Sequence, residues 1–331
     1  MTTQARAGGQ VGKRPELIAT LGPASFGLAV EVTRAGATGL RLNASHIPPA
    51  QLARVVLTTR ALLPEVPIVV DLQGGKLRLG ECEPREVSVG ERVDFSWAPN
   101  TPGALPLPHP ELFAAARVGD LFSVGDGQMR LRVVNVTPTR LTVSAVTSGE
   151  IMPRKGITPL DRPIDLAGLT EADLQQLAAL PQPLEVSWAL SFLKDGSEAR
   201  ALRERLPGVR VIGKIERQEA IDNIDRVASQ VDELWICRGD LGEQIELCAM
   251  AEFVAGFDPR RLSIPVLMAG QVFEHLTEHE TPTRSEICHL YDLVRRGYAG
   301  LVLSDETTIG HAPIQAVATV RGLLDRFAGA P

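Results

Sequence analysis

Short apolar runs alternate with amphipathic stretches along most of the chain, and the two rhythms predict strands and helices in turn. "ELIATL" (16–21) reads as a strand and "FGLAVEVTRAG" (26–36) as a helix closed by glycine. "GLRLN" (39–43) is a second strand, and "PPAQLARVVLTTRALL" (48–63) is a helix whose opening prolines occupy positions that tolerate them. "VPIVVD" (66–71) is the third strand. From about Gly75 to Lys155 the rhythm changes. "RVDFSW", "DLFSV", "MRLRVVNV" and "RLTVSAVTSG" are short Val- and Thr-rich segments between Pro and Gly turns, and "NVTPTRLTV" reads as a hairpin. This stretch is expected to be an all-β module inserted after strand three.

The alternation then resumes. Helices are expected at "TEADLQQLAAL" (170–180), "GSEARALRERL" (196–206), "QEAIDNIDRVAS" (218–229), "CAMAEFVAGF" (248–257), "RSEICHLYDLVRRG" (284–297) and "PIQAVATVRGLLDRF" (313–327). Between them lie the strands "LEVSWALS" (184–191), "VRVIGK" (209–214), "DELWICR" (232–238), "IPVLMAG" (264–270) and "AGLVLS" (299–304). Eight strands, nearly all followed by helices, in about 250 residues outside the insert have the dimensions of a (β/α)8 TIM barrel. A doubly wound open sheet is the alternative, but no GxGxxG follows the first strand. The expected architecture is α/β. A TIM barrel covers 15–74 and 156–331, a small β-barrel-like lid covers 75–155, and a polar, Gly-rich disordered tail covers 1–14.

Composition narrows the partners. With 44% hydrophobic and 22% charged residues the chain is of the soluble globular class. A net charge of −6 and a pI near 5.6 argue against a nucleic-acid or anionic-membrane surface. No run reaches the roughly 18 apolar residues that cross a bilayer, and the start, "MTTQARAGGQVGKR", lacks the apolar core of a signal peptide. Cys82, Cys237, Cys248 and Cys288 show no CxxC spacing, which points to reduced thiols in the cytoplasm.

In such a barrel the chemistry sits at the C-terminal ends of the strands, and those ends are polar here. Strand two ends in Arg41, Asn43, Ser45 and His46; strand three in Asp71, Gln73, Lys76 and Arg78; strand four in Ser191. Strand five ends in Lys214 and Glu216, strand six in Arg238 and Asp240, and strand eight in Ser304, Asp305 and Glu306. Only strand seven ends blandly, at Ala269, Gly270 and Gln271. Singly, Ser304 or Asp305 reads as a solvated loop residue or a helix cap. Jointly, six strand ends converge on one mouth with cations and carboxylates mixed. Period-two alternation points Lys214 and Glu216 to one side. Close carboxylates such as Glu216 and Asp240 repel unless a proton or cation lies between them. A hard divalent ion held by two carboxylates and substrate oxygens suits Mg²⁺. Basic groups around it suit a phosphorylated or carboxylated small molecule. These residues leave two chemistries open: phosphoryl transfer, and an aldolase or decarboxylase working through a metal enolate.

The motifs resemble those of the pyruvate kinase family. "TLGPAS" (20–25), "LRLNASH" (40–46), "VDLQGGKLRLG" (70–80), "LSFLKD" (190–195), "GKIERQEAIDNID" (213–225), "CRGDLG" (237–242), "PTRSE" (282–286) and "VLSDETTIG" (302–310) follow its signatures in order. "VGDGQMRL" (124–131) and "RKGI" (154–157) resemble pieces of its mobile β-domain, so the likeness runs from about residue 15 to about 325. It implies phosphoryl transfer between phosphoenolpyruvate and ADP or ATP. By this resemblance Lys214 supports the phosphoryl group in transit, Glu216 and Asp240 bind Mg²⁺ or Mn²⁺, and Arg41 reaches phosphate. Asn43, Ser45 and Asp71 form the neighbourhood of a monovalent cation. Ser304 and Glu306 match the region of the proton relay, and Ser191, Arg238, Gly239 and Gly270 the substrate pocket. Lys155, with Arg41 and His46, is expected on the nucleotide once the lid closes and excludes water.

Departures from the family pattern qualify that reading. A threonine common in the family is Gly270 here, the alanine before Arg-Gly-Asp is Cys237, and the glycine of "SGET" is Asp305. Lys76 replaces the acidic residue of potassium-dependent members, so K⁺ is expected to be dispensable. The family's C-terminal regulatory domain is expected to be absent, and the "PTRSE" helix implies a homodimer. Three functions follow: a minimal pyruvate kinase, a repurposed relative acting on another oxo-acid or acceptor (or as a metal-enolate lyase), and a non-catalytic regulatory paralogue. Retained charges at Lys214, Glu216, Arg238 and Asp240 weigh against the last, because buried unpaired charge is costly.

Overall fold

The computed structural model describes residues 14–125, 129–162, 164 and 168–329. Eight parallel strands close into a barrel: β1 (Glu16–Leu21), β2 (Gly39–Asn43), β3 (Ile68–Leu72), β4 (Ser187–Leu190), β5 (Val211–Ile215), β6 (Glu233–Cys237), β7 (Val266–Ala269) and β8 (Gly300–Leu303). Each pairs with its neighbours in chain order, and β1 closes on β8 with Leu17 beside Leu301. Both faces of these strands are covered, which is why they read as continuous apolar runs. Outward side chains such as Leu17, Val70, Ile236 and Leu301 pack under the helices. Inward ones, Ile18, Val69, Ile212, Trp235, Leu267 and Val302, fill the barrel. Two residues further along their strands the same inward rows carry Asp71, Lys214, Cys237 and Ala269. The barrel is thus apolar at its base and polar at its mouth.

Local chemistry sets the connections. The helices Glu171–Ala179 and Arg284–Arg296 each open on a capping box, Thr170 with Asp173 and Thr283 with Glu286. Asp173 also accepts the backbone N–H of Gln73 at 2.9 Å, bracing the turn that follows β3. Gly74 in that turn has φ +61°, and a Cβ there would collide with the Ser191 carbonyl, so only glycine fits.

The insert holds a sheet in the order Ile157–Pro159, Leu121–Val124, Met129–Val136, Arg140–Ala145, Arg92–Ser96, Leu105–Pro106, and a two-stranded ribbon of Arg85–Val87 with Gly149–Ile151. The predicted hairpin is present, Val133 facing Val143. Phe95, Phe122, Leu131 and Val143 belong to a core separate from that of the barrel. The expectation of an all-β insert is corrected by a helix at Pro110–Ala115, which starts on proline and buries Leu112 and Phe113. Ile157–Pro159 pairs with Leu121–Val124, so the insert's sheet continues past residue 155. Residues 126–128 of "VGDGQMRL" lie outside the described residues.

Elsewhere the predicted helix at 218–229 splits into Gln218–Asp222 and Ile224–Ala228, with Asn223 between them donating its side-chain N–H to Glu219 O at 2.8 Å. Two short helices not anticipated, Arg238–Gln244 and Asp305–Thr308, follow β6 and β8 directly. No described helix is long and apolar enough to cross a membrane.

The tail expected at 1–14 lies outside the described residues except for Arg14, which pairs with Asp325 at 2.6 Å. Hydrogen bonds from Arg14 and the charge of Arg321 outweigh a small burial cost and pull Asp325 down to about 2. A carboxylate lowered in the folded state stabilises above its unfolded pKa of about 4, and that contribution vanishes as pH falls toward 2. Because Asp325 is 43% exposed, Asp325→Asn is expected to cost only about 0.5–1 kcal/mol at pH 7. Urea melts should show the variant and the parent converging near pH 2; a gap that persists there would mean the carboxylate's charge is not responsible.

Candidate active site

The polar rows meet at the mouth of the barrel, around a cavity of about 740 Å³. Asp71 is buried, is not among the residues lining that cavity, and joins three of the polar side chains. Its Oδ2 accepts from Arg41 Nε at 2.7 Å and lies 3.1 Å from the Lys214 ammonium, while its Oδ1 accepts from Ser191 Oγ at 3.1 Å. Arg41 also donates to Thr20 Oγ1 at 3.0 Å, and Thr20 in turn donates to Leu303 O. Lys214 donates to Ser191 Oγ at 2.8 Å and lies 2.7 Å from Glu216 Oε1. Lys214 and Glu216 therefore do share a side, as strand alternation requires. Burial disfavours the Lys214 charge, but Asp71 and Glu216 together hold its pKa above the ordinary lysine value.

Glu216 is completely buried. One oxygen accepts the Phe192 N–H at 2.8 Å; the other, facing Lys214, has no aligned hydrogen-bond donor. Burial pushes Glu216 up to about 7 against the pull of Lys214, and the negative charge of Asp240 adds to the rise. Asp240 behaves oppositely. Although the Asp240 side chain is partly buried, Lys76 and Lys214 hold it well below the usual carboxylate range. Lys76 reaches across from the root of the insert to Asp240 at 2.6 Å and to Glu243 at 2.9 Å, its ammonium 5.8 Å from the centre of the Phe192 ring. Asp240 and Glu243 stand three residues apart on the Arg238–Gln244 helix, which presents both carboxylates to one cation.

Other predicted residues are placed differently. Asn43 Oδ1 accepts from the N–H and hydroxyl of Ser45, capping a short 3₁₀ turn, and Asn43 sits beside Asp71 in register. Lys76 contacts none of these three, because Asp240 and Glu243 hold it. His46 lines the cavity, and burial with the nearby cations Arg78, Arg41 and Lys76 lowers its pKa. Lys155 is exposed on the lid and is not among the residues lining the cavity. Glu306 is buried, with both oxygens accepting backbone N–H groups, from Ser304 at 2.7 Å and Phe273 at 3.0 Å. It braces the ends of β7 and β8. Cys237 packs inside the barrel with Trp235 and Ala269, and burial keeps its thiol neutral by raising its pKa well above the free value.

Residues 12–317 match the family model described as pyruvate kinase, barrel domain. The chain belongs to the pyruvate kinase family. It is 31% identical over 335 residues to a pyruvate kinase of Agrobacterium vitis, covering 95% of this chain and 69% of that one. A pyruvate kinase of Mycobacterium tuberculosis is 28% identical, with 94% and 70% covered. The crystal structure of pyruvate kinase from Pyrobaculum aerophilum superposes with a TM-score of 0.81 at 25% identity, over 96% of this chain and 74% of that one. Membership in the pyruvate kinase family makes the protein an enzyme of the phosphotransferase class.

Within the pyruvate kinase family pattern, the departure at Gly270 has a backbone cause. Gly270 has φ +78° and Gln271 φ +51°, and a Cβ on Gly270 would lie 2.9 Å from Gly239 N. The space a side chain would take is filled by the start of the Arg238–Gln244 helix, so glycine at 270 does not open the cavity. The Arg238 guanidinium donates to Gly270 O and Gln271 O and reaches His289. Glu243 and His289 are not singled out by the sequence, and Thr20 enters there only as the first residue of "TLGPAS". Glu243 leaves a signal of its own, its i+3 spacing from Asp240.

Proposed function

We propose that the protein transfers a phosphoryl group between phosphoenolpyruvate and ADP, giving pyruvate and ATP, with Mg²⁺ or Mn²⁺. The observation that carries this reading is the Lys214 ammonium, held at once by Asp71, Glu216 and Ser191 beside the cavity. In this transfer the bond from phosphorus to the enol oxygen breaks and a bond to a β-phosphate oxygen of ADP forms. The enolate takes a proton at its methylene carbon. Lys214 and Arg41 set fixed positive charge against the phosphoryl oxygens, where charge spreads in the transition state.

Among the described residues no three His, Cys, Asp or Glu side chains are grouped to hold a metal. Mg²⁺ needs fewer, since one or two carboxylates and substrate oxygens suffice. The buried Glu216 carboxylate, whose Oε1 has no aligned hydrogen-bond donor, fits that arrangement with Asp240 close by. Bound there, the ion supplies Lewis acidity toward phosphate and carboxylate oxygens. Asp71 is already neutralised by Arg41 and Lys214, so turnover without K⁺ is expected even though Lys76 is held by Asp240 and Glu243 instead of beside Asn43 and Ser45. Arg41, His46 and the lid residue Lys155 are assigned to the nucleotide, Ser191, Arg238, Gly239 and Gly270 to the acid, and Ser304 to the relay, with Glu306 holding the Ser304 backbone N–H in place. A cytoplasmic homodimer is the assembly this reading favours.

The test is ³¹P NMR with phosphoenolpyruvate, ADP and Mg²⁺, with and without K⁺. An enzyme-dependent ATP signal of equal rate in both is expected. A second reading, the same fold acting on a different oxo-acid or acceptor, is favoured by the glycine-only backbone at 270, which leaves no threonine hydroxyl there. It would replace the first if no phosphorus moves although wild type binds phosphoenolpyruvate and Lys214→Met does not.

A further inference from the structure

The wall of the cavity at the end of β7 is a turn of two consecutive left-handed residues, Gly270 and Gln271. Glycine adopts that backbone freely; glutamine does so at a cost of order 1 kcal/mol, and such turns persist only where their surroundings hold them. The holder is Arg238. Its Nε and one terminal nitrogen donate to Gly270 O at 3.1 and 3.0 Å, and that same terminal nitrogen donates to Gln271 O at 2.6 Å. Its other terminal nitrogen meets His289 Nε2 at 2.9 Å, on the Arg284–Arg296 helix outside the barrel. A guanidinium can only donate, so Nε2 must accept, which makes the imidazole neutral with its proton on Nδ1.

We infer that His289 is a positioning residue for this site: as a neutral acceptor it fixes Arg238, and through Arg238 the Gly270–Gln271 wall. The inference rests on the functional reading above only for its kinetic consequence. The chemistry of the acceptors carries a further point. Two carbonyls and a neutral imidazole orient the guanidinium without cancelling its charge, as a bonded carboxylate would. Arg238 borders the cavity, so its positive charge remains available to attract an anionic substrate.

The electrostatic surroundings agree. Burial and then Arg238 lower the His289 pKa, with Asp292 opposing and Arg296 assisting from its own helix. Around the guanidinium, burial lowers the Arg238 pKa from its ordinary value, with Tyr298, Glu306 and Glu274 opposing. The imidazole is thereby kept in the form that accepts.

The test compares wild type with His289→Gln, which keeps an uncharged acceptor, and His289→Leu, which removes it. Hydrogen exchange of the amides from 269 to 273 should speed up by about tenfold in His289→Leu and stay near wild type in His289→Gln. With phosphoenolpyruvate and ADP, KM for the acid should rise in His289→Leu more than kcat falls, and His289→Gln should restore it. In ¹⁵N-histidine spectra of the wild type, His289 should be neutral with Nδ1 protonated at pH 7. Unchanged exchange in a folded His289→Leu, or the opposite tautomer, would overturn the proposal. Both readouts are independent of turnover, so absence of pyruvate kinase activity would strike the functional reading alone, and the wild-type spectrum decides even if His289→Leu does not fold.

Discussion

Lys214→Met is expected to reduce phosphoryl transfer by about 10³-fold while leaving a folded protein, because it removes the one ammonium that contacts Asp71, Ser191 and Glu216 together. The loss should fall on kcat, since charge accumulates on the phosphoryl oxygens as the old bond breaks and the bound ground state needs less of it. Removing one partner of a buried ion pair usually costs about 3–5 kcal/mol. Here the lower end is expected, for two reasons visible in the site. Asp71 keeps Arg41 at 2.6 Å. Glu216, already up at about 7, can take a proton in place of its lost partner. Steady-state kinetics beside a urea melt check both halves. A variant that keeps more than about a tenth of wild-type kcat would remove Lys214 from the chemistry.

Much of this site could be read from the chain because strand periodicity is a strong constraint. Buried parallel strands fix which face a residue takes, so Lys214 and Glu216 are assigned to one side from spacing, and Arg41 and Asp71 to the same mouth from their places at strand ends. What spacing could not supply was partners. Lys76 lies 164 residues from Asp240, and nothing local says that the root of the insert will fold onto the helix after β6. Lys76 therefore read as a stand-in for a monovalent ion near Asn43 and Ser45, whereas it is bonded to Asp240 and Glu243. Glu306 is a related case. Its position suggested a relay, but both its oxygens are engaged by backbone N–H groups.

Element boundaries failed where glycine or proline disguised a short helix. "RGDLGEQ" carries two glycines, which disfavour helix by about 1 kcal/mol each. Yet Arg238–Gln244 is helical, its Leu241 anchored with no exposure at all. "PELFAA" sits inside a Val- and Thr-rich insert, and its proline reads as a turn until Leu112 and Phe113 are seen to enter the insert's core. Tertiary burial overrode local propensity in both.

Gly270→Thr, which would supply the threonine common in the family, is expected to damage the protein rather than improve it. Threonine is β-branched and strongly disfavoured at φ +78°. Its Cβ would lie 2.9 Å from Gly239 N and 3.4 Å from Arg238 N, backbone atoms that cannot swing aside as a side-chain tip could. One of two adjustments must follow. The turn can unwind to ordinary φ, giving up the Arg238 bonds to Gly270 O and Gln271 O. Otherwise the first turn of the Arg238–Gln244 helix shifts and carries Asp240 with it. Strain of this kind costs about 1–3 kcal/mol, a fall in Tm of roughly 2–4 °C for each kcal/mol in a domain of this size. Turnover should fall too, since either adjustment moves a wall or a carboxylate of the cavity. Gly270→Ala separates the causes: it keeps the close contact and the positive φ without the branch, and should lie between wild type and Gly270→Thr in stability. If Gly270→Thr instead melts with wild type and turns over faster, the 270–271 turn relaxes at no cost, and the glycine is an omission that threonine repairs rather than a residue the backbone requires.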